Sequence, residues 1–197
     1  MKKILFLITL SIFTFYAVAT NPHTDHVRVD IHKSTVKWKG SKITEGHEGF
    51  IQIQRGVLMI NHGTLVGGEI SFNMKSITNS DIESEKYKAM LEGHLKSDDF
   101  FDVDKYPSST ISITKATKKE ENNYSIVADL TIKGITHSIT FDAKVNIQKI
   151  DFSAKAKISI DRTKWDIKYK SGNFFKDLGD KAILDEIEFD ISLLSAS

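Results

Sequence analysis

The seven histidines are the first residues to examine for chemistry, because imidazole is both a common metal ligand and a proton carrier near neutral pH. No two of them have the helical spacing of a zinc motif, and the chain has no cysteine to complete a mixed site. His94 falls on the apolar side of a predicted helix, which favours a packing role, and His47 lies in a turn without an assignable acidic partner. The others are His23 and His26, both in a loose N-terminal stretch, and His32, His62 and His137. The sequence therefore predicts no metal site.

Serines, glycines and acids also lack a catalytic pattern. No serine lies in a G-x-S-x-G turn, and the glycines of Val66-Gly67-Gly68-Glu69 sit within a strand pattern, which indicates a bulge or a close backbone approach. The acids Asp98, Asp99, Asp102 and Asp104 lack the spacing and the glycine of a calcium-binding EF-hand and are interpreted as a solvated face. We therefore expect no catalytic residues, no cofactor and no enzyme activity.

Alternation of apolar and polar residues dominates the chain and is typical of strands with one dry face. It is clear over residues 124–132, 141–147, 152–160 and 187–193. It is weaker over residues 27–31 continuing to 38, 50–53, 57–60, 70–74 and 111–113. Together these segments predict eight or nine strands.

Short connections at residues 120–123, 133–136 and 149–151 require antiparallel neighbours, since a parallel crossover needs a dozen or more residues. Closing such a sheet into a barrel hides its edges, and a two-sheet sandwich is the alternative. Residues 83–96 carry Tyr87, Met90, Leu91, His94 and Leu95 at helical spacing, followed by Phe100 and Phe101. The sequence thus predicts an all-β protein with one short helix packed against the barrel or its mouth.

The inward face of the predicted barrel is apolar and includes several small residues. Ala128, Ala143, Ala154 and Ala156 leave room for a guest, whereas large inward phenylalanines could fill the same space. The residues alone leave three hypotheses open. The barrel is a holder for a long apolar molecule, a filled scaffold for protein interaction or stress response, or an enzyme acting on a lipid head group. The third would need an inward acid or histidine, and no assignable inward position has one.

Residues 1–19 have the layout of a secretory signal: Lys2 and Lys3, an apolar run, and Ala17-Val18-Ala19 before the cut. The apolar run is shorter than the roughly 20 residues that a membrane-spanning helix needs. We expect cleavage after Ala19 and a periplasmic or secreted domain over residues 20–197, without the cysteine of a lipoprotein anchor. The formal charge of +1 becomes −1 with the leader removed, since the leader holds two lysines and no acid. Such a charge argues against nucleic acid or an anionic membrane as partner.

Several stretches, in order along the chain, resemble the YceI-like family of exported lipid-binding proteins. The most specific runs from His94 to Pro107, with the sequence H-L-K-S-D-D-F-F-D-V-D-K-Y-P. Others are L-T-I-K-G-I-T from Leu130, D-R-T-K-W-D-I from Asp161, and D-E-I-E-F from Asp185. The resemblance implies an extended lipocalin-like antiparallel eight-stranded β-barrel with a helix near its mouth and no carried-over catalytic residues.

The resemblance further implies a hydrophobic tunnel for a polyisoprenoid, a quinone or a fatty-acid derivative, and homodimers are common in the family. Trp165 and Tyr169, in the polar loop 161–180, are predicted to shape the mouth and bond a head group, or alternatively to pack at the barrel edge. The predicted tunnel-lining residues are Phe72, Met74, Leu91, Leu95, Phe100, Phe101, Leu130, Phe141, Val145, Ala154, Ala156, Ile158, Ile187 and Phe189.

Overall fold

The alternating segments form nine antiparallel strands, and one helix interrupts them. The computed structural model describes residues 23–149 and 151–196, so the predicted signal peptide, residues 1–19, lies outside the described residues. The strands are β1 Thr24–Arg28, β2 Thr35–Lys42, β3 Gly46–Asn61, β4 Thr64–Asn79, β5 Ser108–Lys118, β6 Asn123–Ile132, β7 Ile135–Gln148, β8 Asp151–Asp161 and β9 Ile183–Leu194. The helix, α1, is Glu85–Lys96, with Ser84 at the N-cap position, and begins two residues after the predicted start. Two short 3₁₀ turns, Arg162–Trp165 and Gly179–Lys181, lie in the connection from β8 to β9.

The sheet closes on itself. Neighbours around the ring are β3, β2, β9, β8, β7, β6, β5 and β4, and β4 pairs back onto β3. β1 pairs with the second half of β3 while β2 pairs with the first half, so these two strands share one position in the wall. The result is an eight-stranded antiparallel barrel, as predicted, rather than a two-sheet sandwich.

Strand β3 corrects the prediction of two separate strands at residues 50–53 and 57–60. Ile51 and Ile53 are buried, and so are Leu58 and Ile60, although the two pairs have opposite parity. A register shift against β4 between Ile53 and Arg55 inserts one extra residue and returns both pairs to the inner face. The break in alternation marks a bulge within one long strand.

The predicted close approach at Gly67-Gly68 is confirmed. The pairing of β3 with β4 shifts between Met59 and Ile60, which leaves Val66 as the extra residue. A Cβ atom on Gly68 would lie 2.8 Å from the carbonyl oxygen of Val57 and 2.8 Å from Cδ2 of Leu58. Glycine at this position therefore lets β3 and β4 pack without a steric clash.

One end of the barrel has an opening. At this end, the turn between β2 and β3, helix α1 and the long connection from β8 to β9 surround the opening, which we call the mouth. Among residues 23–149 and 151–196, no helix is long and apolar enough to cross a membrane.

Candidate ligand-binding site

The mouth opens into an apolar space of about 700 Å³ that includes its solvent-facing entrance. Leu91 and Leu95, one turn apart on α1, and Phe100 and Phe101, in the turn that follows α1, border the space from one side. Trp38 of β2 borders it from the wall and donates its indole N–H to the carbonyl oxygen of Thr78 at 3.0 Å. The helix thus lies across the mouth with its apolar face inward.

Two further apolar spaces continue from the mouth toward the other end. A middle space of about 490 Å³ shares Ile51 and Phe101 with the mouth space. An inner space of about 510 Å³ shares Ile111, Ile158 and Ile191 with the middle one. Both volumes, like that of the mouth space, include space open to solvent. Neighbouring spaces share lining residues, and they succeed one another along the length of the strands. They therefore form one file along the barrel axis. An aligned file of narrow apolar spaces suits an extended chain better than a compact ligand.

The structure brings the predicted lining residues together around this file. Each of them borders at least one of the three spaces, although their contact with a ligand stays a prediction. The mouth space is bordered by Leu91, Leu95, Phe100, Phe101 and Ile187. The middle space is bordered by Phe72, Met74, Phe101, Leu130, Ile158 and Phe189. The inner space is bordered by Phe141, Val145, Ala154, Ala156 and Ile158.

Trp165 does not lie at the rim, which corrects its predicted role in binding a head group. Its side chain is buried, and the indole N–H donates to the carbonyl oxygen of Leu130 at 3.2 Å. The ring meets His137 edge-on at 5.1 Å between centroids. Since its only donor is already used, Trp165 serves packing, which was the alternative interpretation.

Tyr169 lies beside the mouth. Its ring packs edge-on against His94, with 4.7 Å between centroids, and at a tilt of 52° against Phe100, with 5.5 Å between centroids. His94 also forms an ion pair with Asp99, with 3.0 Å between Nε2 and Oδ2, so this aspartate is more than part of a solvated face. The cluster joins the end of α1 to the long connection, and the head-group role of Tyr169 stays a prediction.

Arg162 is a buried cation that sequence reasoning missed. Its guanidinium donates to the carbonyl oxygens of Ile167 at 2.7 Å and of Ile183 and Leu184 at 3.1 Å each. It also contacts Oδ1 of Asp185 at 3.1 Å. Burial lowers the pKa of the Arg162 guanidinium, and the carboxylates of Asp185 and Asp161 act in the opposite direction. The network closes the long connection into a fixed wall of the mouth.

His47 has an acidic partner after all. Its Nδ1 lies 3.1 Å from Oδ2 of Asp81, which comes from the chain beyond β4. Burial alone would raise the pKa of the Asp81 carboxyl, but hydrogen bonds from Asn79, His47 and the backbone N–H of Glu48 outweigh it and lower the pKa. The pair was invisible in the sequence because the two residues are 34 positions apart. It places one polar ring at the border of the mouth space.

Ser109 provides a polar atom inside the apolar file. The residue is buried on β5 and borders the middle space. Within residues 23–149 and 151–196, its Oγ is the one buried side-chain nitrogen or oxygen without a hydrogen-bond partner. The same ranges contain no group of three or more histidines and acids arranged to hold a metal ion.

Comparison with known proteins agrees with this architecture. Residues 27–194 match the family model described as the YceI-like domain. Protein YceI of Escherichia coli O157:H7 is 31% identical over 99 residues, which are 46% of this chain and 48% of that protein. A UPF0312 protein of Vibrio campbellii is 31% identical over 84 residues, 39% of this chain and 44% of that protein. The alignments therefore span about half the length of these curated relatives.

Solved structures share the fold. BcnA of Burkholderia cenocepacia superposes with a TM-score of 0.65 at 19% identity, covering 85% of this chain and 99% of that one. A polyisoprenoid-binding domain from Saccharophagus degradans, implicated in plant cell wall breakdown, gives a TM-score of 0.62 at 13% identity, with coverage of 90% and 99%. At these identities the likeness concerns the fold alone, and it agrees with the lipocalin-like barrel predicted above.

Proposed function

We propose that the protein, which belongs to the YceI-like domain family, holds one long apolar ligand inside its barrel. The observation that carries the proposal is the file of three adjoining apolar spaces from the mouth to the inner end. The polyisoprenoid-binding domain of like fold supports a polyisoprenoid or quinone as the guest, and a fatty-acid derivative has the same shape. The role is sequestration or transport, not catalysis.

Burial of the guest supplies the binding energy. Each methylene removed from water contributes about 0.8 kcal/mol, so a buried chain of about 15 carbons supplies about 12 kcal/mol and can reach micromolar affinity after an association cost of about 4 kcal/mol. We propose that residues 1–19 are removed on export and that the domain of residues 20–197 works in the periplasm or outside the cell.

Extraction of the purified protein tests the proposal directly. Protein expressed from the full sequence in a bacterial host should release about one long-chain lipid per barrel into organic solvent, detected by mass spectrometry. N-terminal analysis of the same preparation should find Thr20 as the first residue. An extract without stoichiometric lipid, together with failure to take up added quinone, would contradict the proposal and favour a filled scaffold.

The Ser109 hydroxyl provides a second test, which asks whether the guest carries an oxygen that accepts a hydrogen bond. A buried donor without a partner costs about 1–3 kcal/mol, and an oxygen on the guest would remove that cost. We therefore expect Ser109→Ala to raise the free energy of unfolding of the ligand-free protein, measured by urea denaturation. The same variant should bind an isoprenoid quinone at least about fivefold more weakly than wild type.

The control for Ser109→Ala is a hydrocarbon of similar length, such as squalene, which offers no acceptor. Its affinity should be equal in the variant and in wild type. If quinone and hydrocarbon respond alike, Ser109 does not contact an acceptor, although ligand binding itself would stand.

A further inference from the structure

The apolar side chains most exposed to solvent gather around the mouth. Six large side chains there are 46–62% exposed, whereas the other large exposed ones among the described residues reach at most 43%. We call these six residues the rim patch: Ile43, Tyr87, Met90, Phe174, Phe175 and Leu184.

Three segments that surround the mouth space supply the rim patch. Ile43 follows Lys42, and Leu184 itself lines the space. Tyr87 and Met90 lie three residues apart on α1, at the solvent-exposed margin of the same apolar face that carries the lining residue Leu91. The patch thus surrounds the entrance that an apolar guest must pass.

The segment 167–176 adds positive charge to the patch. It contains Lys168, Lys170 and Lys176 around the pair Phe174-Phe175. Asp166 and Asp177 flank the segment, and Asp166 pairs with Lys168 at 2.6 Å, so Lys170 and Lys176 supply most of the local positive charge. Nζ of Lys168 lies 5.1 Å from the ring centroid of Phe174, so the cation sits beside the exposed aromatic ring. Aromatic rings between lysines are the composition that settles at the boundary of lipid head groups and acyl chains.

We infer that the rim patch docks the mouth onto the surface of a lipid bilayer, preferentially an anionic one. Apolar insertion and a local basic cluster are each weak, and together they give reversible attachment. The near-zero charge of the whole chain argued against an anionic membrane as partner. The docking surface departs from that expectation because it needs only a few lysines beside exposed apolar side chains. The inference goes beyond ligand binding and does not depend on it, because lipid-extracted protein should dock as well.

Reversible docking solves a physical problem of a lipid carrier. A long apolar chain that crosses water between membrane and barrel would expose all its methylenes at once. With Phe174 and Phe175 in the head-group region, the mouth space opens directly toward the acyl chains. The guest can then pass from one apolar medium to the other.

Vesicle flotation tests the inference. Wild-type protein expressed from the full sequence should float with vesicles of equal parts phosphatidylcholine and phosphatidylglycerol, and less with phosphatidylcholine alone. The double variant Phe174→Ser, Phe175→Ser should partition at least about tenfold more weakly. Lys176→Gln should reduce partition into the anionic vesicles by roughly fivefold, an effect that added salt removes.

The opposite end of the barrel offers the matched control. Ile31 and Val66 are exposed apolar residues there, so Ile31→Ser with Val66→Ser should float as wild type does. All variants share one N-terminus, so a retained leader would affect them equally. The inference is overturned if wild type fails to float or if the Phe174, Phe175 variant floats equally well. If wild type fails to float and the variant also abolishes a dimer, the rim patch is a contact between two copies of the protein.

Discussion

The Ala154→Phe variant is expected to bind a long apolar ligand at least about a hundredfold more weakly than wild type while keeping its fold. Ala154 is buried on β8, where it pairs with Val145 of β7 and Leu193 of β9, and it borders the inner space. A phenyl ring there occupies volume that the guest chain would need. Displacing four or five methylenes at about 0.8 kcal/mol each accounts for the expected loss.

We expect the barrel to keep its fold around this ring, because the ring enters from a wall position that borders an apolar space. Overpacking in a filled core costs about 1–3 kcal/mol, and free space lowers that cost. Ala156→Phe is a second variant at a less buried position beside the same space. If either variant loads normally, its alanine does not line the path of the guest.

Quenching of tryptophan fluorescence by an added quinone is a suitable measurement, since Trp38 borders the mouth space. Thermal unfolding checks the fold of each variant. The matched control is Lys144→Phe, which adds the same ring on the exposed face of neighbouring β7. It should load as wild type does, so a loss of binding there would point to a general effect of the added phenylalanine.

Alternation predicted most of the wall because it reports directly which side of a strand is dry. Alternation predicted β6 and β8 correctly, because every second residue lies on the inner side along their whole length. These strands carry Leu130, Ala154 and Ile158. It divided β3 in two because a bulge reverses parity between Ile53 and Leu58. A bulge is set by pairing with the neighbouring strand, and a single segment does not reveal that pairing.

The mouth was harder to predict because its contacts join distant parts of an irregular connection. Residues 162–182 have no period, so sequence reasoning had no basis for burying Trp165 or Arg162. The hydrogen bond from Trp165 to Leu130 and that from Arg162 to Asp185 connect residues 35 and 23 positions apart. The excess of charge in this loop suggested solvent, although one of its cations lies inside.

Arg162→Ala should lower the free energy of unfolding by about 3–5 kcal/mol, the largest stability effect we expect from one residue. The substitution leaves the carbonyl oxygens of Ile167, Ile183 and Leu184 without their donor. It also leaves Asp185, whose side chain is only 17% exposed, without its cation. Urea denaturation followed by circular dichroism gives the change.

An exposed ion pair provides the control for Arg162→Ala. Arg55 contacts Glu69 at 3.2 Å, but their side chains are 72% and 47% exposed. Such pairs contribute about 0–1 kcal/mol, so Arg55→Ala should be nearly neutral. Similar losses in the two variants would mean that the buried network around Arg162 does not stabilise the mouth as inferred.

A double variant separates the two costs of losing Arg162. If the unpaired carboxylate dominates, adding Asp185→Asn to Arg162→Ala should recover part of the loss, because the buried charge is gone. If the unpaired carbonyl oxygens dominate, the addition recovers nothing. In that case Asp185→Asn lowers the free energy of unfolding further, since Asp185 also accepts hydrogen bonds from the Ser171 hydroxyl at 2.9 Å and the Asn173 amide at 2.7 Å. In both cases the unfolding transition should broaden, since the long connection can detach from the barrel before the strands separate.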